Sequence, residues 1–151
     1  MRLLIATLVG GFFAGLLDII FAFVFYGLTL GATEMRILQS VASGLLGREE
    51  ARAGGWGTAL IGLGCHFFIA TMMAGAFVIA GRFIPLILRR PWISGVLYGL
   101  ALFLVMNFVV VPLSKIGPRP APEGLQLWGA LFTHVFFVGL PIAFIARRFS
   151  V

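Results

Sequence analysis

The sequence predicts an all-α, polytopic membrane protein: a bundle of four transmembrane helices with a short amphipathic helix between the first and the second. Its composition, 61% hydrophobic against 11% charged with a mean hydropathy of +1.11, lies far outside the range of soluble proteins. Four apolar runs are each long enough to cross a hydrocarbon core of about 30 Å at about 1.5 Å per residue. These runs are residues 3–26, 56–80, 92–111 and 127–146, within a single integral membrane domain over residues 1–151.

The charged residues lie outside these runs, with the exception of Asp18. The net charge of +6 therefore resides in connections and termini, where basic side chains orient a protein in the bilayer and attract anionic lipid headgroups. This distribution predicts the lipid bilayer as the partner, and not nucleic acid. Cys65 is the only cysteine, so an internal disulfide is excluded.

The first run is predicted to be an uncleaved helix, because it is far longer than the apolar part of a secretory signal and no small-residue cleavage site ends it. A charge near the bilayer centre costs at least about 2.5 to 3.5 kcal/mol, so we expect Asp18 to be protonated, paired or facing a polar cavity. Gly11, Gly15 and Asp18 are spaced at i, i+4 and i+7. One face of this helix should therefore carry two packing glycines and the acid.

The connection between the first two runs is predicted to form a short interfacial helix over residues 33–46, above the mouth of the bundle. Thr33 is a suitable N-cap and Gly47 a suitable C-terminal cap. Gln39 is expected near the opening. The helix has an apolar side with Leu38, Val41 and Leu45, and a polar side with Arg36, Gln39, Ser40 and Ser43. The mixed-charge run 48–52 that follows is expected to be solvated.

The third run contains a second pair of packing glycines, Gly95 and Gly99. The short connection before it carries Arg82, Arg89 and Arg90. Basic residues concentrate in short loops on the cytoplasmic side of a membrane. We therefore predict that both termini are cytoplasmic and that the other two connections are periplasmic.

Each of the four runs contains one conspicuous polar residue, and the four lie at similar depth. They are Asp18, His66, Asn107 and His134, all about 3 to 8 Å outward of the bilayer midplane when counted from the helix midpoints. Lipid cannot satisfy such side chains, so we expect them to share an interior site. Asp18 should lie within hydrogen-bonding reach of at least one of the others, directly or through water.

Several interpretations of this polar layer stay open. The simplest is mutual hydrogen bonding that fixes the helix packing, worth about 0.6 kcal/mol per bond in membranes. A path for a proton, an ion or a small solute is the second. Asp18, His66 and His134 could instead form a two-His-one-carboxylate metal site, or the histidines could bind a b-type haem with Gly62 and Gly64 making room for the ring. No short-spacing motif supports metal or haem, so no cofactor or metal is assigned.

The residues favour binding or conduction of a proton, ion or small solute as the function. A passive structural or assembly subunit of a membrane complex, or of a homo-oligomer, is the alternative, and a metal- or haem-binding membrane protein is the third. The sequence has no recognisable hydrolase constellation and no glycine-rich phosphate loop, so an enzyme is not predicted.

Five stretches of the chain stand out as a set: residues 14–18, 38–47, the segment around His66, 106–114 and 138–141. Together they resemble a family of small four-helix bacterial inner-membrane proteins of unknown function, over nearly the whole chain. The resemblance implies a location in the bacterial inner membrane. It also implies a joint role for Asp18, Gln39, His66, Asn107 and His134, but it supplies no substrate or reaction.

Overall fold

The computed structural model describes residues 1–150. Over that range the chain is helical and contains no strand, which confirms the predicted all-α class. Two of the long helices contain a π-helical stretch: Met106–Val110 lies within the helix Pro91–Leu113, and Thr133–Gly139 lies within the helix Gly124–Phe149. The helices are α1 (Arg2–Leu30), α2 (Glu34–Leu46), α3 (Arg48–Ala53), α4 (Gly55–Phe83), α5 (Pro85–Arg89), α6 (Pro91–Leu113) and α7 (Gly124–Phe149).

Four of these helices, α1, α4, α6 and α7, are long and apolar enough to cross a membrane, as the sequence predicts. Each runs a few residues beyond the predicted apolar limits at one or both ends. The difference arises because polar residues beyond the apolar runs, such as Thr29 and Arg82, are still helical. Hydropathy alone ends a helix where its apolar residues end.

The outer surface of the bundle is apolar along all four long helices. Phe12, Phe68, Leu104 and Phe136, one from each helix, are all more than half exposed. A continuous apolar exterior of this kind is unstable in water and matches the hydrocarbon interior of a bilayer. The four helices therefore indicate a membrane-embedded, multi-pass protein.

Helices α1 and α7 form the inner pair of the bundle, because α1 packs along both α4 and α7 while α6 packs mainly along α7. The contact between α1 and α4 uses the predicted glycine face. A Cβ atom added at Gly11 would lie 2.5 Å from the Cα of Thr71, and one added at Gly15 would lie 2.9 Å from the Phe67 ring. The two glycines thus let the backbones approach closely.

The crossing of α6 and α7 is built in the same way. A Cβ added at Gly99 would lie 2.6 Å from the Cα of Val135, and one added at Gly95 would lie 3.0 Å from the Cα of Leu140. Gly139 faces them from α7, where a Cβ would lie 2.8 Å from the Cα of Gly99. Side chains are therefore missing on both sides of this crossing, which brings the two backbones into near contact.

Helix α2 has the predicted ends. The Thr33 hydroxyl accepts a hydrogen bond from the backbone N–H of Arg36 at 3.4 Å, and Gly47 ends the helix with a φ of 96°, a left-handed conformation that favours glycine.

The buried face of α2 includes Leu38, as predicted, but it also includes residues of the predicted polar side. Gln39 and Ser43, expected on the polar side, are 2% and 7% exposed, whereas Leu45 is 56% exposed. The reason is that α2 packs along α4 at Gly62, where an added Cβ would lie 2.8 Å from the carbonyl carbon of Leu38. The helix therefore buries the side that faces α4, whatever its polarity.

The charged run after α2 is solvated, as expected, and it forms the short helix α3. Its charged residues Arg48, Glu49 and Glu50 are exposed, but Ala51 is 1% exposed. The carbonyl of Ala51 accepts a hydrogen bond from the Thr58 hydroxyl at 2.6 Å, which ties α3 to the first turns of α4.

Candidate functional site

A cavity of about 580 Å³, here called the chamber, lies inside the bundle between α1, α4, α6 and α7. We name three parts of its lining. The polar ring consists of Asp18, His66, Asn107, Thr133 and His134. The mouth consists of Arg119, Pro120, Pro122, Glu123 and Gln126. The wall consists of apolar and aromatic residues, among them Phe21, Ala22, Tyr26, Val41, Ile69, Met106, Val111 and Ala130.

The structure brings together four of the five binding residues selected from the sequence. Asp18, His66, Asn107 and His134 all line the chamber, and each comes from a different long helix. This is the arrangement expected of polar residues that lipid cannot satisfy.

The fifth residue, Gln39, is not among the residues that line the chamber, and its buried side chain contacts α4 instead. Its Nε2 donates to the Gly55 carbonyl at 2.9 Å and to the Thr58 hydroxyl at 3.3 Å. Its Oε1 accepts a hydrogen bond from Arg36 at 3.2 Å. The Nε2 end of the amide therefore fastens α2 to the start of α4, while the Oε1 end is held by Arg36 within α2.

Asp18 accepts its hydrogen bond from a residue that the sequence did not single out. The Thr133 hydroxyl donates to Asp18 Oδ1 at 2.5 Å. The other oxygen, Oδ2, lies 3.9 Å from His66 Nε2, which is too long for a hydrogen bond. The Asp18 side chain is 25% exposed, so the acid faces the chamber and is not sealed in apolar surroundings.

His66 is oriented by the backbone of α1. Its Nε2 lies 2.9 Å from the carbonyl oxygen of Gly15. Because a carbonyl only accepts, Nε2 carries the proton. Gly15 has no side chain to obstruct this approach, so the same glycine that lets α4 pack closely also positions the imidazole.

Asn107 and His134 each donate to the carbonyl four residues earlier in their own helix. Asn107 Nδ2 lies 2.9 Å from the Phe103 oxygen, and His134 Nδ1 lies 2.8 Å from the Ala130 oxygen. Both residues lie in the π-helical stretches, where the wider turn changes which carbonyls the backbone N–H groups reach. Such stretches are frequent at functional sites, and here two of them face the same chamber.

The metal and haem interpretations find no support in this geometry. The described range, residues 1–150, contains no group of three or more His, Cys, Asp or Glu side chains placed to hold a metal ion. Gly62 does not make room for a haem ring either, because the backbone of α2 occupies the space beside it.

The chamber ends in packed core on the side of the chain termini. Tyr98 donates a hydrogen bond of 2.7 Å to the Met73 carbonyl, which joins α6 to α4 just beyond the chamber. The Phe77 and Tyr98 rings are 5.0 Å apart, and Phe77 is 2% exposed. The opposite end, at the mouth, is formed by exposed residues such as Arg119 and Glu123. The mouth is therefore the exposed end of the chamber.

No family model, curated protein sequence or solved structure matches this chain.

Proposed function

We propose that this chain is a multi-pass protein of the bacterial inner membrane whose chamber binds a small solute. The observation that carries the proposal is one cavity lined by a polar residue from each of the four long helices. Its volume of about 580 Å³ falls within the range of small-molecule sites, about 300 to 1,000 Å³. A few polar groups surrounded by apolar wall is also the usual composition of such sites.

The proposed orientation places both termini in the cytoplasm and the mouth of the chamber in the periplasm. Support comes from the short connection with Arg82, Arg89 and Arg90, which lies at the end opposite the mouth. The resemblance noted for the sequence adds the bacterial inner membrane as the location. Solute would then enter from the periplasmic side.

Binding is favoured over a permanently open pore because packed core residues close the chamber beyond Met73. Conduction of a proton, ion or solute would require α4 and α6 to separate at the Tyr98 to Met73 hydrogen bond. We therefore propose solute binding as the primary activity and treat transport as a step that needs this closure to open.

The test is a thermal-shift screen of purified protein with small organic cations, anions, neutral compounds and metal salts. A ligand at a hundredfold excess over its Kd stabilises the folded state by about 2.7 kcal/mol, which is readily measured. A binding compound should lose its effect in Ala130→Phe, which fills part of the chamber, and keep it in Ala101→Phe, which adds the same ring on the exposed face of α6.

A passive assembly subunit is the second candidate, and one observation favours it. His66 donates to the Gly15 carbonyl of α1 and so joins α4 to α1, as a residue that only fixes packing would do. Asp18→Asn separates the two, because it keeps most of the hydrogen-bonding capacity but cannot ionise. If no solute stabilises the wild type, if neither protein carries proton or ion flux in vesicles, and if both are equally stable, the passive subunit is the better account.

A further inference from the structure

The polar ring presents mainly hydrogen-bond acceptors to the chamber. Three of its donors are already used: the Thr133 hydroxyl on Asp18, His66 Nε2–H on Gly15, and His134 Nδ1–H on Ala130. Asn107 uses one N–H on the Phe103 carbonyl. These assignments are forced, since a carbonyl oxygen cannot donate.

The acceptors, in contrast, have no protein donor within residues 1–150. With both imidazoles neutral, these are Asp18 Oδ2, Asn107 Oδ1, His66 Nδ1 and His134 Nε2. Within the polar ring, four acceptor atoms therefore remain against a single free N–H, the second one of Asn107. The other donors of the lining are the Tyr26 hydroxyl in the wall and the side chains of Arg119 and Gln126 at the mouth. A ligand that brings its own N–H donors therefore suits the ring.

The formal charge of the lining points to the same kind of ligand. The lining contains two acidic residues, Asp18 and Glu123, and one basic residue, Arg119, and within the polar ring Asp18 is the acidic residue. A carboxylate in surroundings of low dielectric favours a cation much more strongly than it would in water. The apolar wall, with the rings of Phe21 and Tyr26, suits the uncharged part of the molecule.

We infer, resting on the proposed solute-binding function, that the ligand is an organic monocation with N–H donors, such as an ammonium, amidinium or guanidinium group, attached to an apolar body. The cationic group lies in the polar ring and donates to Asp18 and to the free acceptors of Asn107 or His134. The apolar body extends along the wall toward the mouth.

The experiment compares four probes that share one apolar body: 4-phenylbutylammonium, 4-phenylbutyrate, 4-phenylbutanol and trimethyl(4-phenylbutyl)ammonium. Binding is measured by calorimetry with the wild type, Asp18→Asn and Ala130→Phe in detergent micelles, with empty micelles as the blank. We expect the ammonium probe to bind about tenfold tighter than the alcohol and to lose that advantage in Asp18→Asn. The trimethyl probe should lie between them, because it has the charge but no N–H donors.

Two results overturn the inference. One is that the butyrate or the alcohol binds as tightly as the ammonium probe. If Ala130→Phe then abolishes that binding, the chamber still binds a solute, and only the proposed ligand class is wrong. The other is that none of the four probes binds the wild type. The comparison among probes uses the wild type alone, so it holds even if a variant fails to fold. The proposed function fails separately, when no compound of the broader screen stabilises the wild type in a way that Ala130→Phe removes.

Discussion

Asp18 is stabilised in the membrane by a hydroxyl and by the chamber, without a full counter-charge. An ionised side chain near a bilayer centre costs about 2.5 to 3.5 kcal/mol on insertion scales. A hydrogen bond to a charged group returns about 1.5 to 3 kcal/mol, and Thr133 supplies one at 2.5 Å. Exposure of a quarter of the Asp18 side chain to the chamber provides further solvation. The hydrogen bond from Thr133 and the exposure to the chamber together are comparable in size to the insertion cost of the ionised Asp18 side chain.

Replacing Thr133 by the isosteric valine should therefore destabilise the protein. We expect Thr133→Val to lower the free energy of unfolding by about 1 kcal/mol, because Asp18 Oδ1 loses its donor while the chamber replaces part of its solvation. Thr133→Ser keeps the hydroxyl and should stay close to the wild type. The measurement is denaturant unfolding in mixed micelles, and a valine variant as stable as the wild type would contradict this role.

The sequence could not distinguish Thr133 from the other hydroxyls in the long helices. A threonine in a membrane helix commonly bonds a carbonyl of its own helix, as Thr29 does with Phe25 and Thr71 with Phe67. Thr133 instead reaches across to α1, and only the packing of α7 against α1 decides this. The interior position of Asp18 was predictable because an acid in an apolar run is costly to expose to lipid, whereas a hydroxyl can bond to its own helix at little cost.

At the scale of helices, glycines set the distance between α6 and α7. Gly99 has no space for a side chain, whereas Gly64, also within a long helix, has no atom within 4 Å of an added Cβ. Both substitutions by alanine gain the same helix propensity, about 1 kcal/mol. Their effects should therefore differ only through the contact.

Gly99→Ala should destabilise the protein by about 1 to 3 kcal/mol, because its Cβ would be forced against the backbone of Val135. Gly64→Ala is the matched control and should be neutral or slightly stabilising. Thermal unfolding of both variants in the same detergent provides the measurement. Equal melting temperatures for the two would show that this crossing can separate at little cost.

Helix α2 depends on Gln39 for its attachment to α4. In Gln39→Ala the side-chain partners of Gly55 and Thr58 are lost inside a buried contact, which costs about 1 to 3 kcal/mol. Ser40→Ala, at an exposed position of the same helix, should change stability by less than about 0.5 kcal/mol.

The predicted consequence is local and can be measured by hydrogen exchange. Backbone amides of α2 should exchange faster in Gln39→Ala than in Ser40→Ala, while those of the four long helices keep their protection. Unchanged exchange in α2 would mean that its apolar contacts suffice to hold it.

The position of α2 was predictable from sequence, but its buried face was not. Thr33 and Gly47 mark its ends through capping, which is a local property of the chain. Its orientation depends on α4, a distant partner, and the small residue Gly62 lets α2 approach with Gln39 inward. The π-helical stretches were not predicted either, because no residue type or short sequence pattern specifies them.

At the scale of the whole molecule, the two ends of the bundle are different. One end carries the basic cluster Arg82, Arg89 and Arg90 and a packed core in which Tyr98 joins α6 to α4, and the other carries the mouth. The long helices were predictable because a run of about 20 apolar residues rarely forms anything other than a membrane-spanning helix. The shared depth of Asp18, His66, Asn107 and His134 anticipated an interior site, but its volume depends on how the four long helices pack, which no local pattern encodes.

The one-sided chamber predicts which positions a membrane-impermeant thiol reagent can reach. In a Cys65→Ala background, which removes the native thiol, Pro120→Cys at the mouth and Ala130→Cys in the chamber should both be labelled in intact spheroplasts. Arg89→Cys, exposed at the opposite end, should be labelled only after the membrane is permeabilised. Labelling at Ala130 should also slow when a bound solute occupies the chamber, whereas labelling at Pro120 should change less. Labelling of Arg89→Cys in intact cells would invert the proposed orientation, and failure to label Ala130→Cys from either side would mean that the chamber is closed to water at both ends.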